Sequence, residues 1–443
     1  MKLVRDLALA LALGLAASAQ ASSHLAYTTV PGYFLQDEAS TDPSTFDFTT
    51  TNFGLINRTY DADADTQQEQ QRQLPPPHTL TQWERFHRQV LALNRDAPSN
   101  VAYKVLFLGR HGQGWHNVAE EYYGTPAWNC YYSLLPGNAT TTWSDADLTP
   151  LGETQALNVH TFWQTQLTTQ RIPLPSVFYV SPLTRAMRTL NLTFAGLIKQ
   201  HLAPREHKHE PAPESEAISS TNPSPLFSLF GLSERSSNPN PDPDPDPTCP
   251  AHLKYTPHIT PLFRESITIH TCDHRRNRTS IHALFPTWTL PPENIFPEDD
   301  EQWDGIHAET TAGQDGRSRR GLDLIFHQLG LQLQSQSQFQ MEGKDGDGDE
   351  DGVFVSVTSH SGEIASVLRV IGHREFGLAT GAVIPVLVRG ERVSDSTTKL
   401  TGTMTTTTTA VSWTRSAHCT EPPVTSVTGC VCRSGAPVVT TAL

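Results

Sequence analysis

Short apolar runs alternate with amphipathic segments through most of the chain after residue 100. Four runs are rich in β-branched or aromatic residues and are bounded by turn residues, which predicts buried strands at 105–108, 177–180, 353–357 and 383–388. Segments with helical spacing occur at 153–167, 183–199, 318–329 and 363–371. This alternation predicts an α/β fold with a doubly wound, mostly parallel sheet flanked by helices, in a single domain over 100–393.

Segments of different composition surround and interrupt this domain. Residues 22–99 are mostly polar, with one helical pattern at 83–93, and are predicted to form an N-terminal extension. Residues 204–250 are rich in Pro, Ser and Glu and contain a Pro/Asp repeat, which predicts a disordered insertion because proline continues neither a helix nor a central strand. Residues 394–443 contain a threonine run and are predicted to be a low-complexity tail.

The first 21 residues have the three parts of a secretory signal peptide. Lys2 and Arg5 supply positive charge, residues 7–15 form an apolar run too short to span a bilayer, and Ala19 lies where a signal peptidase could cut. This pattern predicts a secreted protein, extracellular or associated with the cell wall; an ordinary N-terminal helix is the alternative. Secretion would make four Asn-X-Thr triplets candidate glycosylation sites, at Asn57, Asn138, Asn191 and Asn277.

Six cysteines are present: Cys130, Cys249, Cys272, Cys419, Cys430 and Cys432. They form no Cys-x-x-Cys pair of the kind that binds metals, so disulfides or buried thiols are favoured over a zinc site. An acidic run at 345–352 resembles a calcium loop, but Thr358 stands where the bidentate Glu belongs. The sequence therefore predicts a solvated loop there, and no metal or other cofactor.

The formal net charge of −14 argues against a nucleic-acid-binding surface and against a basic membrane-binding patch. We expect no stable membrane insertion, and composition leaves the oligomeric state open. An acidic protein can still bind an anion where its basic side chains converge.

Three predicted strands end in segments that carry such side chains. The first strand runs into Arg110 and His111, the second into Arg185, and the third into His360. Ligands bind at the carboxyl ends of strands in open α/β sheets, so we expect these residues to meet. Arginine binds phosphate oxygens in a bidentate manner and imidazole can act as a nucleophile, a combination that fits phosphoryl transfer.

This ordered set of motifs resembles the histidine phosphatase superfamily, also called phosphoglycerate-mutase-like, whose Arg-His-Gly signature matches Arg110, His111 and Gly112. The resemblance covers about 103–390 without the insertion and extends through 109–117, 148–152 with Gln155, 181–186 and 359–363. It is closest to the fungal phosphoglycerate-mutase-like proteins, which carry a stretch similar to 263–265 followed by 271–276.

The resemblance implies that His111 is the nucleophile that becomes phosphohistidine. It implies a pocket around the phosphoryl oxygens made by four residues: Arg110, Asn117, Arg185 and His360. His360 also counts among the catalytic residues. Glu265 matches the acid that protonates the leaving group and later helps to activate water. Phosphoryl transfer requires such positioned positive charge and a proton donor.

Other polar residues near these motifs leave two interpretations open. Arg188, one helical turn after Arg185, could lie in the site or in a salt bridge. His116 could line the pocket. A basic cluster could hold a second anionic group of the substrate or be a solvated face: His274, Arg275, Arg276 and Arg278.

The sequence thus favours a metal-independent phosphatase that hydrolyses a small phosphorylated metabolite or a phosphopeptide. A phytase-like enzyme is disfavoured, because Gln113 to His116 and Ser361 depart from the Arg-His-Gly-x-Arg-x-Pro and His-Asp motifs of that branch. A phosphoglycerate-type phosphomutase and a catalytically inactive secreted phosphate-binding protein on the same fold are the alternatives.

Overall fold

The computed structural model describes residues 23–64, 79–202, 255–331, 352–394, 413–424 and 429–435. The predicted signal peptide, the insertion at 204–250, the acidic run up to Asp351 and much of the predicted tail lie outside the described residues. Among the helices that are described, none is long and apolar enough to cross a membrane.

A six-stranded mixed sheet lies at the centre of the fold, in the order β1-β7-β2-β6-β3-β4. Its strands are β1 (Ser23–Thr29), β2 (Val101–Arg110), β3 (Val177–Val180), β4 (His258–Ile259), β6 (Phe354–Ser359) and β7 (Val383–Ser394). A separate antiparallel pair is formed by β5 (His307–Glu309) and β8 (Trp413–Arg415). Neighbours among β2, β6, β3 and β4 are parallel, whereas β7 runs antiparallel to both β1 and β2.

Helices cover both faces of this sheet. They are α1 (Gln82–Arg95), α2 (Trp115–Tyr123), α3 (Thr125–Cys130), α4 (Pro150–Thr169), α5 (Thr184–Leu202), α6 (Arg278–Leu284), α7 (Thr311–Ile325), α8 (His327–Leu331) and α9 (Ser361–Val370). Side chains alternate along β2, so Val105 and Phe107 join the core under α1, α4 and α5, while Leu106 and Leu108 join the core under α7 and α9. The predicted fold class, a mostly parallel sheet flanked by helices, is confirmed.

Residues 23–64 belong to this domain, whereas the sequence pattern predicts an extension over 22–99. Strand β1 pairs with β7 along its whole length, and Phe34 and Phe53 are completely buried. The ring of Phe53 packs against Phe107 and Trp163, with ring centroids 5.5 and 5.0 Å apart. The sequence pattern does not predict this packing, because Phe34 lies in an isolated β-bridge and Phe53 in a three-residue 3-10 helix, without the spacing of a longer helix or strand.

We expect Phe53→Ala to lower the free energy of unfolding by about 3–5 kcal/mol, because it leaves a cavity among packed rings. Denaturant unfolding of both proteins with their disulfides intact measures this difference. Tyr122→Ala is the matched control, since Tyr122 is 80% exposed and its truncation is expected to cost about 0.5 kcal/mol or less. A loss below about 1 kcal/mol for Phe53→Ala would contradict the placement of this segment in the core.

Part of the predicted tail is attached to the domain. Strand β8 pairs with β5, and a disulfide joins Cys130 to Cys430; a second disulfide joins Cys419 to Cys432. Cys272 is buried and forms no disulfide with another described cysteine. The described cysteines thus take both forms that the sequence favours, disulfides and a buried thiol.

Candidate active site

The carboxyl ends of β2, β6 and β3 lie side by side, and the residues that follow them meet at one place. His111 follows β2, His360 follows β6, and Arg185 lies in the first turn of α5 after β3. The rings of His111 and His360 have centroids 4.9 Å apart, and the Nε–H of Arg185 points at Nε2 of His111 over 3.3 Å. All three side chains are buried, with at most 1% exposed. The structure therefore brings these predicted site residues together.

The hydrogen bonds of His111 fix the tautomer of its ring. Its Nδ1 lies 2.7 Å from the carbonyl oxygen of Gly112, so Nδ1–H donates, and the lone pair is on Nε2, the nitrogen that Arg185 faces. Burial lowers the pKa of His111 well below its ordinary value, and the charges of Arg185 and Arg110 lower it further. The imidazole is therefore neutral, which is the nucleophilic form.

The glycine after His111 allows a very close approach of two backbone segments. A Cβ at Gly112 would lie 2.3 Å from the carbonyl oxygen of Gly152, at the start of α4. The N–H of Gly112 donates to Oγ1 of Thr189 on α5 over 3.0 Å. The loop after β2 is thus fixed between α4 and α5, which explains why the motifs around 111 and 152 occur together.

Backbone carbonyl groups hold both arginines in place. Nη1 of Arg185 donates to the carbonyl of Cys272 over 2.7 Å, and Nη1 of Arg110 donates to the carbonyl of Leu378 over 2.7 Å. Among the described residues, the carboxylate that pairs with Arg185 is that of Asp273, whose Oδ1 lies 3.7 Å from Nη2. Neutral carbonyls orient a guanidinium without cancelling its charge, so the site keeps a positive potential.

Three buried nitrogen atoms around His111 have no hydrogen-bond partner within the described part of the chain: Nε of Arg110, Nδ1 of His116 and Nδ1 of His360. Ser181 donates its Oγ–H to Nε2 of His360 over 2.7 Å, a tautomer that leaves Nδ1–H of His360 as a donor. The ring of His116 lies 5.3 Å from that of His111. Buried polar atoms normally have partners, so these atoms indicate a site for a polar ligand, and the two arginines select an anion.

Glu265 is held at the N-terminus of α9. Its Oε1 accepts hydrogen bonds from the backbone N–H groups of Ser266, over 2.9 Å, and Glu363, over 3.1 Å. A Cβ at Gly362 would lie 2.3 Å from the same oxygen, so only glycine permits this contact. Burial raises the pKa of Glu265, and the charge of Asp273 raises it further. The carboxyl group therefore keeps its proton to a higher pH than an exposed Glu, as a general acid requires.

Curated fungal proteins are similar to most of this chain. A probable phosphoglycerate mutase of Arthroderma benhamiae is 38% identical over 372 residues, which cover 84% of this chain and 87% of that protein. This chain belongs to the phosphoglycerate-mutase-like family of histidine phosphatases. The phosphomutase-like protein 3 of Candida albicans is 32% identical over 295 residues, covering 66% of this chain and 68% of that protein. A probable phosphoglycerate mutase of Saccharomyces cerevisiae is 31% identical over 300 residues, covering 65% and 79%.

No protein-family model matches the chain. Solved structures with overall similarity include a phosphoglycerate mutase from Thermus thermophilus, with 16% identity, a TM-score of 0.24, and coverage of 63% of this chain and 91% of that chain. A mycobacterial glucosyl-3-phosphoglycerate phosphatase has 15% identity and a TM-score of 0.27, covering 63% and 90%. Membership in the family rests on the fungal relatives.

Two residues near the family motifs have structural partners. Oδ1 of Asn117 accepts the N–H of Gly114 over 2.9 Å and so caps α2; its role as a phosphate contact stays a prediction. Arg188 pairs with Asp147 over 2.7 Å and with Glu153 over 2.8 Å at the surface. The salt-bridge interpretation is therefore the one that the structure supports for Arg188.

The basic cluster behind Glu265 is mostly engaged within the protein. Arg275 and Arg278 donate to backbone carbonyls between residues 291 and 299. Arg276 pairs with Asp145 over 3.1 Å, and the ring of His274 stacks on Trp303. These contacts hold the loop after Glu265 in place. Among the described arginines, Arg110 and Arg185 lie beside His111.

Three residues contribute to the site in roles that the sequence pattern does not predict. Ser181 orients His360, Thr189 holds the backbone of Gly112, and Asp273 lies beside Arg185. Ser181 could have been found, because it is the first residue after a predicted strand. The role of Thr189 depends on how α5 packs against the loop after β2, which no local pattern encodes.

Proposed function

We propose that this protein is a metal-independent phosphatase, which hydrolyses a phosphomonoester through a phosphohistidine at His111. The observation that carries the proposal is a set of three buried nitrogen atoms around Nε2 of a neutral His111, none of which has a hydrogen-bond partner among the described residues. A phosphoryl group in that place would accept hydrogen bonds from Arg110 and His360. Its phosphorus atom would face the nucleophile.

In the first step, the lone pair of His111 Nε2 attacks phosphorus and the ester P–O bond breaks. The bonding electron pair leaves with the substrate oxygen, which takes the proton of Glu265 and departs as an alcohol. Arg185 moves its Nε–H from Nε2 of His111 to a phosphoryl oxygen, so that the nucleophile is released as the substrate binds. Positioned donors of this kind stabilise the charge of the transferring group.

In the second step, the Glu265 carboxylate takes a proton from a water molecule whose oxygen attacks phosphorus. The P–N bond breaks, its electron pair returns to Nε2 of His111, and inorganic phosphate is released. The enzyme regains its starting protonation state, because the proton lost to the leaving group is replaced by one from water.

Phosphomutase activity is the second candidate, favoured by the names of the fungal relatives. A mutase of this chemistry passes through a bisphosphorylated intermediate, whose second phosphoryl group needs its own cations. In the described residues, the nearby Arg188, Arg275 and Arg276 bind carboxylates or carbonyls of the protein. This commitment of the extra positive charge favours transfer to water.

Phosphate release in the presence of a chelator tests the function. We expect one inorganic phosphate for each phosphomonoester consumed, over a panel of phosphorylated metabolites and phosphopeptides. Isomerisation of 3-phosphoglycerate to 2-phosphoglycerate without phosphate release would instead identify a mutase. If a folded protein shows neither reaction, the proposal fails and an inactive phosphate-binding protein is left.

We also propose that the protein acts outside the cell. The disulfides Cys130–Cys430 and Cys419–Cys432 support this, since disulfides persist in oxidising compartments. Recovery of the protein from culture medium, with a new N-terminus at residue 20 or 22, would support secretion; retention of intact residues 1–21 inside cells would contradict it.

The Glu265→Gln variant should lose kcat/KM in a manner that depends on the leaving group. With an alkyl phosphate the loss is expected to be about 100-fold or more, because an alkoxide needs a proton to depart. With p-nitrophenyl phosphate it should be less than about tenfold, because that leaving group is stable as an anion. Each substrate is the control for the other, because misfolding would reduce both rates by the same factor. Equal losses with the two substrates would therefore show that Glu265 is not the general acid.

The pH dependence of kcat/KM follows from the two pKa shifts. His111 must be neutral and its pKa is lowered, so activity should rise at a pH below the ordinary range of histidine. Glu265 must be protonated and its pKa is raised, so activity should fall as pH increases through that raised value. The falling limb should disappear in Glu265→Gln measured with p-nitrophenyl phosphate.

A further inference from the structure

A group of metal-binding side chains lies directly behind Arg185. His270, Cys272 and Asp273 each offer one donor atom, and the three donor atoms lie within 4.8 Å of one another. They lie in one short 3-10 turn, Thr271–Asp273, with His270 as its N-cap. Cys272 and Asp273 are buried, 4% and 3% exposed, and His270 is half-buried.

The distance between two of these donor atoms is close to that in a tetrahedral zinc site. The thiol sulfur of Cys272 lies 3.8 Å from Oδ1 of Asp273. An ion with a Zn–S bond of about 2.3 Å and a Zn–O bond of about 2.1 Å would hold these two atoms about 3.6 Å apart in tetrahedral geometry. Imidazole, thiolate and carboxylate are together the donor set of zinc and related borderline-soft ions. A hard ion such as Mg²⁺ prefers oxygen ligands alone.

We propose that His270, Cys272 and Asp273 form a binding site for Zn²⁺ or a similar thiophilic divalent cation, and that occupation of this site inhibits the enzyme. The three side chains leave the fourth position of the ion to water. Binding replaces the proton of the Cys272 thiol, which is released to solvent, so the thiolate and the Asp273 carboxylate neutralise the two charges of the ion.

Inhibition follows from the contacts that the same residues make with Arg185. The carbonyl of Cys272 accepts a hydrogen bond from Nη1 of Arg185 over 2.7 Å, and Oδ1 of Asp273 lies 3.7 Å from Nη2. A cation bound to Asp273 and to the Cys272 thiolate draws the Asp273 carboxylate away from Arg185. It also shifts the backbone carbonyl of Cys272, which orients the guanidinium of Arg185. Arg185 is 3.3 Å from the nucleophilic nitrogen of His111, so a small displacement reaches the reacting atoms.

The site is distinct from the phosphate-binding pocket, although it touches one wall of it. Its three ligands are not among the buried atoms without partners around His111. The sequence does not reveal this site, because a His-x-Cys-Asp run has no second cysteine or histidine pair to mark it as a zinc motif.

Cadmium binding tests the site without depending on catalysis. Every protein is prepared both with the natural Cys249 and with Cys249→Ser, because Cys249 lies outside the described residues. No reductant is added, so the disulfides stay closed. We expect one Cd²⁺ per chain with an ultraviolet thiolate-to-cadmium charge-transfer band. Cys272→Ser should abolish the band, and His270→Gln should weaken Cd²⁺ binding at least about tenfold. His274→Gln, on the same segment but stacked on Trp303, is the matched control and should bind normally.

Inhibition is then measured with Zn²⁺ against the uninhibited rate of each variant. We expect the concentration for half inhibition to rise at least about tenfold in Cys272→Ser and in His270→Gln, and to stay unchanged in His274→Gln. No charge-transfer band in the parent protein, or an equal band in Cys272→Ser, would overturn the site. Equal Zn²⁺ inhibition of all variants would place the inhibitory ion elsewhere, at the catalytic histidines.

This inference depends on the proposed function only for its inhibitory effect. If the protein hydrolyses no phosphomonoester, the cadmium band still decides whether the ion binds. If hydrolysis occurs and the band is absent, the proposed function stands and the metal site fails.

Discussion

His111→Ala is expected to lower kcat/KM for phosphomonoester hydrolysis by about 10⁴-fold or more, which is the loss typical of removing a catalytic nucleophile. In the proposed mechanism, Nε2 of His111 is the atom that bonds to phosphorus. The neighbouring His360 cannot replace His111 as the nucleophile, because its Nε2 is hydrogen-bonded to Ser181 and its ring centroid lies 4.9 Å from that of His111.

Steady-state rates and unfolding curves of the variant and of His274→Ala test this expectation. His274 lies on the loop after Glu265 and stacks on Trp303, so its replacement controls for the loss of an imidazole outside the pocket. A variant at 111 that folds normally and keeps more than about 1% of the parent rate would rule out nucleophilic catalysis by this residue.

Arg185→Lys should reduce kcat/KM by about 10²–10³-fold, although it keeps a positive charge. The guanidinium of Arg185 contacts Nε2 of His111, the carbonyl of Cys272 and the carboxylate of Asp273 with three different nitrogen atoms. A lysine ammonium group is a single point charge and cannot keep all three contacts. The loss should appear mainly in kcat, because the arginine stabilises charge that is redistributed in the transition state.

Arg188→Lys is the matched control, one helical turn further along α5. Arg188 forms exposed ion pairs with Asp147 and Glu153, and such pairs contribute about 0–1 kcal/mol to stability. Its activity is expected to stay within about twofold of the parent. Comparable losses in both variants would mean that α5 is sensitive to any change, and would remove the specific role of Arg185.

The sequence predicts four of the six strands of the sheet, β2, β3, β6 and β7, but not β1 or β4. Strand β3 was predicted with its observed bounds, and the other three predicted strands differ only at their ends. Buried parallel strands are continuous apolar runs, so they stand out from polar surroundings. The sequence predicts that His111, Arg185 and His360 meet, because each follows the carboxyl end of a predicted strand. They do meet, because β2, β6 and β3 are neighbours in the sheet.

What the sequence could not give depends on contacts between distant segments. The burial of Phe34 and Phe53 arises from packing against helices far along the chain. The sequence could not show what Arg188 and Arg275 bind. An arginine near a family motif looks the same in the sequence whether it binds a ligand, a carboxylate or a backbone carbonyl. The tautomer of His111 depends on the contact between its Nδ1 and the backbone carbonyl of Gly112, which the sequence does not show.

Trapping the phosphoenzyme tests the central claim most directly. The enzyme is mixed rapidly with a phosphomonoester, quenched in alkali, which preserves phosphohistidine, and digested for peptide mass spectrometry. We predict one phosphoryl group on His111, formed within the first turnover and lost at the rate of phosphate release. A phosphoryl group on His116 or His360, or full turnover without any phosphorylated peptide, would contradict the account.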